Sequence, residues 1–298
     1  MRRLACSGLV VLLCALRGLG GEPTLEQRIK PIADALSAAL RDLGHEPVAL
    51  LAPRRPEGDE PPPFLQLTAS SAPQGLDLLF ARDKHAIEPL VRAYEPDLSI
   101  CWGFPWKIPQ AVLDLPRLGS INMHPGLLPR HRGPIPLAWA LRDGDSVWGI
   151  TWHRMDAELD TGNVLAQTTV PIEDDDVDIA EFGPRLIGAG LDLLPRVLDR
   201  VAARDPGELQ PSEGASWAGH FEDDAYALVD WSHPARKIHN QVRAWHLTFG
   251  LTGVRAPRAE LDGEQVVLLQ TRLTDPGDDA RRVECGDGPI WIVQTEPV

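Results

Sequence analysis

Over the first two hundred residues, short apolar runs of strand length alternate with stretches whose apolar residues recur at helical spacing, which leaves few folds open. "GLVVLLCAL", "PVALLAP", "DLSICWG" (Asp97 to Gly103) and "GSINMH" read as strands. Between the first two, "LEQRIKPIADALSAALRDLGHEP" carries Ile29, Ile32, Ala35, Leu36, Leu40 and Leu43 at helical spacing and stops at Gly44. "HAIEPLVRAY", "PQAVLDL" and "PLAWALRDG" add helices, and "VWGITWHRM" and "GNVLAQTTVPI" add two strands. "DIAEFGPRLIGAGLDLLPRVLDRVAAR" reads as helical, bent or broken near Pro184 and Pro195. Strands alternating with helices predict an α/β domain: a mostly parallel sheet covered by helices on both faces.

The composition then changes. "DPGELQPSEGASWAGHFEDD" is polar and rich in turn formers, and reads as a linker at 205–224. Beyond it come one helix, "PARKIHNQVRAW", and the β-like runs "VVLLQTRL", "RRVEC" and "GPIWIVQT". The expected domains are therefore 1–204 and 225–298, the second small and mostly β. "RRPEGDEPPP" is a loop, because three consecutive prolines fit neither a helix nor a central strand.

At 298 residues, with 43% apolar and 24% charged residues, the chain has ample core for a globular protein. A formal net charge of −14 argues against a general nucleic-acid binder, without excluding a local basic patch. Cys6, Cys14, Cys101 and Cys285 are scattered, without metal-ligand spacing, and point to a reduced compartment. "MRRLACSGLVVLLCALRGLGG" has the outline of a secretory leader and also that of a first strand followed by a glycine turn. Arg17 and the missing A-x-A pattern favour the strand, and with it a cytoplasmic protein. No other apolar run approaches the roughly 20 residues of a membrane span.

The chemistry concentrates in "INMHPGLLPRHRGPIP". Asn122 and His124, two apart on an extended segment, point to the same side where a strand ends, and ligands of open α/β sheets bind at the carboxyl ends of strands. "HRMDAELDTGNVL" places Asp156, Glu158 and Asp160 in a turn between two strands. A carboxylate beside His124 would raise the imidazole's pKa, and an Asn beside the His would supply an uncharged donor for an oxyanion. The set suits acyl transfer to an amine; no Ser or Cys stands in a nucleophile elbow, so the transfer would be direct. His131 and His153 with the nearby carboxylates match no common zinc spacing, so no metal is expected, and His153 is read as flanking the substrate opening. "EDDDVD", Glu173 to Asp178, is read as capping the next helix.

"NMHPGLLPRHRGPIP" followed by "GITWHRMDAELDTGNVLAQ" resembles the signature of the folate-dependent formyltransferases. Asn122, His124, Leu127-Leu128-Pro129, Arg132-Gly133, Pro136, Asp160 and Gly162 carry the likeness, which resumes at "VDWSHPARKIHNQVRA" and "CGDGPIWIV". The resemblance implies a Rossmann-like N-terminal domain, a small OB-like β-barrel C-terminal domain and 10-formyltetrahydrofolate as formyl donor. It implies that Asn122 polarises the formyl carbonyl, that His124 handles protons and that Asp160 raises its pKa. The donor would lie along Gly126, Leu127, Leu128 and Pro129, against Trp106, Lys107 and Ile108 and the backbone of Asp156 to Asp160. Two departures stand out: Gly126 where the family usually has Ser, and Pro134 where amino-sugar members carry Arg.

A tRNA acceptor needs phosphate contacts from Lys and Arg. Arg255, Arg258, Arg272, Arg281 and Arg282 are interspersed with acids, and the proline loop is nearly charge-balanced. The expected acceptor is therefore a small-molecule amine such as an amino acid or amino sugar. The alternatives are initiator methionyl-tRNA, or water in a hydrolase; the oligomeric state stays open.

Overall fold

The computed structural model describes residues 9–13, 25–53, 75–104, 106–177, 179–221, 224–247, 256–277 and 280–298. The proline loop, the glycine turn after the first strand, and Arg255 lie outside them. Seven strands form the first sheet: β1 (Leu9–Leu13), β2 (Pro47–Pro53), β3 (Asp77–Ala81), β4 (Leu98–Trp102), β5 (Ser120–His124), β6 (Val147–Arg154) and β7 (Val164–Pro171). Their order is β3-β2-β1-β4-β5-β6-β7; the first five run parallel, and β6 and β7 return antiparallel. The N-terminal apolar run thus supplies a strand between β2 and β4.

Strands buried on both faces read as continuous apolar runs. Ala49 to Ala52 of β2, Leu98 to Cys101 of β4 and all of β5 are buried. Helix α1 (Leu25–Asp42) buries Ala33, Leu36, Ser37 and Leu40 on one stripe. It ends as expected at Gly44, whose φ of 83° lets His45 N–H reach back to the Leu40 carbonyl. α2 (Ile87–Tyr94), α3 (Gln110–Leu113) and α4 (Pro136–Asp143) follow β3, β4 and β5.

The long C-terminal helical segment of this half breaks at Leu193 into α5 (Ile179–Asp192) and α6 (Leu194–Ala202). Pro195 falls in the first turn of α6, where its missing N–H costs nothing, whereas Pro184 is accommodated inside α5. No helix among the described residues is long and apolar enough to cross a membrane.

α7 (Ala235–Leu247) leads into β8 (Arg258–Leu261), β9 (Glu264–Arg272), β10 (Arg281–Cys285) and β11 (Gly288–Pro297). These strands make an antiparallel sheet of order β10-β11-β9-β8, a curled half-barrel around Val242, Ala259, Leu261, Leu268 and Ile292. Register shifts between β11 and β9 accompany the curl, and Arg281 of β10 pairs with Asp262 in the β8–β9 turn, Nη2 to Oδ1 2.7 Å.

The acidic run also has partners far along the chain, while Asp178, next to the helix start, lies outside the described residues. Asp174 pairs with Arg236 and Asp175 with Arg272, while the Glu173 and Asp174 carbonyls accept from Arg243 (2.6 Å) and His239 Nε2 (2.9 Å). Glu173 to Asp175 therefore hold α7 and β9 against the first sheet, whereas Asp176 pairs with Arg185 of α5. These partners lie some 60 to 100 residues away in sequence, beyond the reach of any local reading.

Candidate active site

β5 ends at His124, and its antiparallel partner β6 pairs Asn122 with His153 and His124 with Thr151. Two-residue periodicity puts Asn122 and His124 on one side, as the sequence implied. Asn122, His124, Thr151 and His153 are all buried. The β6–β7 turn then returns Asp160 onto them, in a left-handed conformation with φ of 57°.

One carboxylate organises the cluster. Asp160 Oδ1 accepts from Asn122 Nδ2 at 3.2 Å and lies 3.3 Å from His153 Nε2. Asp160 Oδ2 accepts from the Gly133 N–H at 2.9 Å and lies 3.5 Å from His124 Nδ1. His124 Nε2–H donates to the His131 carbonyl at 2.8 Å, leaving Nδ1 as the basic nitrogen of the neutral ring. His153 Nδ1–H donates to the Arg154 carbonyl at 2.7 Å, so its Nε2 accepts from Asn122 Nδ2 at 3.1 Å.

Electrostatics correct one expectation. Burial pulls the His124 pKa below its ordinary value; Asp160 opposes this and does not overcome it. Burial also pushes the Asp160 carboxyl up, but His124, His153 and the Gly133 N–H together hold it well below the usual carboxylate range. The resting pair is thus a neutral imidazole beside an ionised carboxylate.

Both Asn122 N–H groups point at Asp160 and His153, and its Oδ1 is buried with no partner. That acceptor stands beside His124 at the end of β5, where a ligand's donor would find it. His153, expected at the opening, lies inside the cluster. The strand pairing that brings it to Asn122 is a tertiary fact.

The remaining expected residues divide by exposure. Thr151 Oγ1 donates to the Gly126 carbonyl (2.7 Å) and accepts from Leu128 N–H (3.2 Å), and Gln167 Nε2 donates to the Leu128 carbonyl (2.7 Å), fixing the Leu-Leu-Pro loop onto β6 and β7. Leu127 is 36% exposed and Leu128 only 3%, so Leu127 and half-buried Pro129 present the loop's apolar surface. A Cβ at Gly126 would lie 2.7 Å from His124 Nε2, so this imidazole position admits only glycine there.

Trp106 is half-buried against Phe104, and Lys107 is exposed and bonded to Glu158 at 2.8 Å, joining the 104–108 loop to the β6–β7 turn. Ile108 is buried in the core with Val112 and Leu113, so its side chain packs inward rather than lining an opening. Asp156 turns inward on its own loop, accepting from Glu158 N–H and Thr161 Oγ1.

An open α/β sheet with a buried polar cluster at the carboxyl end of a central strand is the architecture of an enzyme, and the resemblances to known proteins say of which kind. A family model described as "Formyl transferase" matches residues 65–198. A methionyl-tRNA formyltransferase of Ruegeria pomeroyi is 35% identical over 280 residues, covering 89% of this chain and 88% of that protein. The chain belongs to the folate-dependent formyltransferase family. Among solved structures, HypX from Aquifex aeolicus in complex with tetrahydrofolic acid superposes with a TM-score of 0.62 at 19% identity, over 96% of this chain and 43% of that one. The chain thus spans less than half of HypX. WlaRD, a sugar 3N-formyltransferase, gives 0.62 at 13% identity over 96% and 97%.

Proposed function

We propose that this formyltransferase passes the formyl group of 10-formyltetrahydrofolate to the amino group of initiator methionyl-tRNA, with Asn122, His124 and Asp160 as its transfer site. The observation that carries the acceptor is the match to methionyl-tRNA formyltransferase along nearly the whole of both chains, the C-terminal half included. This reverses the preference drawn from net charge. A whole-chain balance of −14 says little about the local field where a tRNA would lie.

When bound, the folate donor supplies a formyl group on a nitrogen that can leave with a proton. Leu127, Pro129 and the 104–108 loop line its place, and the β6–β7 turn closes the other side. Asn122 Oδ1 accepts from the incoming neutral amine and orients its lone pair toward the formyl carbon. His124 Nδ1, kept neutral by burial, takes the amine's proton, and Asp160 pairs with the imidazolium so formed. His124 then returns the proton to the departing nitrogen. As the new nitrogen–carbon bond forms the formyl oxygen takes up negative charge, and its carbonyl re-forms when the folate nitrogen leaves with the proton from His124.

A small amine is the second reading, favoured by one observation. Arg272, Arg281 and Arg282 each face a carboxylate, Asp175, Asp262 and Glu284, which leaves these side chains neutralised. Release of tetrahydrofolate by the purified chain, with charged initiator tRNA and separately with amino acids and amino sugars, tests the two. Release only with the tRNA supports the proposal. Release only with a small amine refutes it, and release without any amine makes the chain a hydrolase.

A further inference from the structure

The segment from 205 to 221 reads in sequence as a linker, yet it runs across the rim of the site and is stitched to both loops that build it. Glu208 exchanges two backbone hydrogen bonds with Val164, at 2.8 and 2.9 Å, beyond the Asp160 turn. Arg132 N–H donates to the Ser216 carbonyl, and Ala218 N–H to the Arg132 carbonyl, on the loop that follows His124. Between these anchors the half-buried Gln210 side chain uses all four of its hydrogen-bonding positions. Its Nε2 donates to the Asp160 carbonyl at 2.9 Å and to the Gly162 carbonyl at 2.7 Å. Its Oε1 accepts from Arg132 Nε at 3.0 Å and Nη2 at 2.7 Å.

These bonds close a circuit. Asp160 is held at its carboxylate by the Gly133 N–H and at its carbonyl by Gln210, and Arg132, the neighbour of Gly133, ties the two holders together. Asp160 sits in the left-handed region, with φ of 57°, and the two holders fix it there from its carboxylate and its carbonyl.

We infer that Gln210 is a positioning residue of the transfer site, holding Asp160 in the conformation that sets its carboxylate against His124 and Asn122. The inference rests on the transfer site proposed above. Gln210 touches no reacting atom; it acts through Asp160, and a displacement of about 1 Å at such a carboxylate can cost on the order of a hundredfold in rate.

The test is a double-substitution cycle read by kcat, KM and the pH profile, with 10-formyltetrahydrofolate as donor and charged initiator tRNA as acceptor. Gln210→Ala is expected to lower kcat roughly 10- to 100-fold, with KM for the donor little changed and the acid limb displaced to lower pH. Added to Asp160→Asn, it should cost nothing further, because both act through one group. Thermal unfolding of each variant runs alongside. If Gln210→Ala destabilises the fold, Gln210→Glu reads the same coupling, since it keeps an acceptor for the Arg132 fork and lacks the donors to Asp160 and Gly162. Wild-type kcat and pH profile in the Gln210 variants, or losses that multiply in the double variant, would overturn the inference while leaving the transfer site intact. A silent Asp160→Asn would overturn both.

Discussion

Replacing Asp160 by Asn keeps the size of the side chain and removes its charge. Asp160 Oδ2 lies 3.5 Å from His124 Nδ1. Unit charges that close attract by about 5 kcal/mol at an effective dielectric near 20. Opposite charges within hydrogen-bonding reach shift a pKa by about 1–3 units. An Asn amide would also turn its N–H₂ toward either the Gly133 N–H or the Asn122 N–H₂, donor against donor, so one hydrogen bond is lost with the charge. The imidazolium formed during transfer therefore loses about 1.4–4 kcal/mol, and turnover should fall roughly 10- to 1,000-fold. His124 is already below its ordinary pKa, and without Asp160 it falls further. The acid limb of the rate profile should move to lower pH. Because the native state holds this carboxyl well below the usual range, removing its charge should lower the melting temperature as well, so unfolding is measured beside the rate. The assay is the absorbance change on loss of the formyl group from the folate donor, followed against pH, with donor binding measured by titration. An Asp160→Asn enzyme with unaltered kcat and an unmoved acid limb would refute the reasoning.

Asn122→Ala and His124→Ala should each lower turnover on the order of a hundredfold or more, with donor affinity retained, as checked by tetrahydrofolate titration. Gly126→Ala places a Cβ 2.7 Å from His124 Nε2 and 3.2 Å from Pro136 Cβ, so the imidazole must give up its bond to the His131 carbonyl. About 1–3 kcal/mol of stability should be lost, together with activity, as read by urea unfolding and the same assay. His239 stands neutral between Thr271 and the Asp174 carbonyl, its pKa pushed down to about 3 by burial from an ordinary 6.5. Since the unfolded chain takes up that proton first, stability should fall as pH drops from 6.5 toward about 3, by about 1.4 kcal/mol per pH unit. His124 adds to the same slope. His239→Gln should flatten it by one proton's share in urea midpoints measured across that range, and an unchanged slope would exclude His239 as the source.

The elements and the chemical kind of site are legible in local patterns along the chain. Buried strands and striped helices obey periods of two and 3.6 that survive without any knowledge of their partners, so β2, β4, β5 and α1 were legible, and so was the pairing of Asn122 with His124 on one side of a strand. What those residues meet depends on segments that are distant along the chain. β6 brings His153 beside Asn122, the β6–β7 turn folds Asp160 onto both, and a supposed linker delivers Gln210 to the Asp160 carbonyl. It also decided the sign of the His124 shift, because the neighbouring carboxylate could be guessed from the chain while the depth of burial could not. The acidic run shows the same limit: local rules read its carboxylates toward the next helix, and arginines some 60 to 100 residues away pair with two of them. Local propensity is written in neighbours along the chain; desolvation and long-range pairing come into being only when distant segments close on one another.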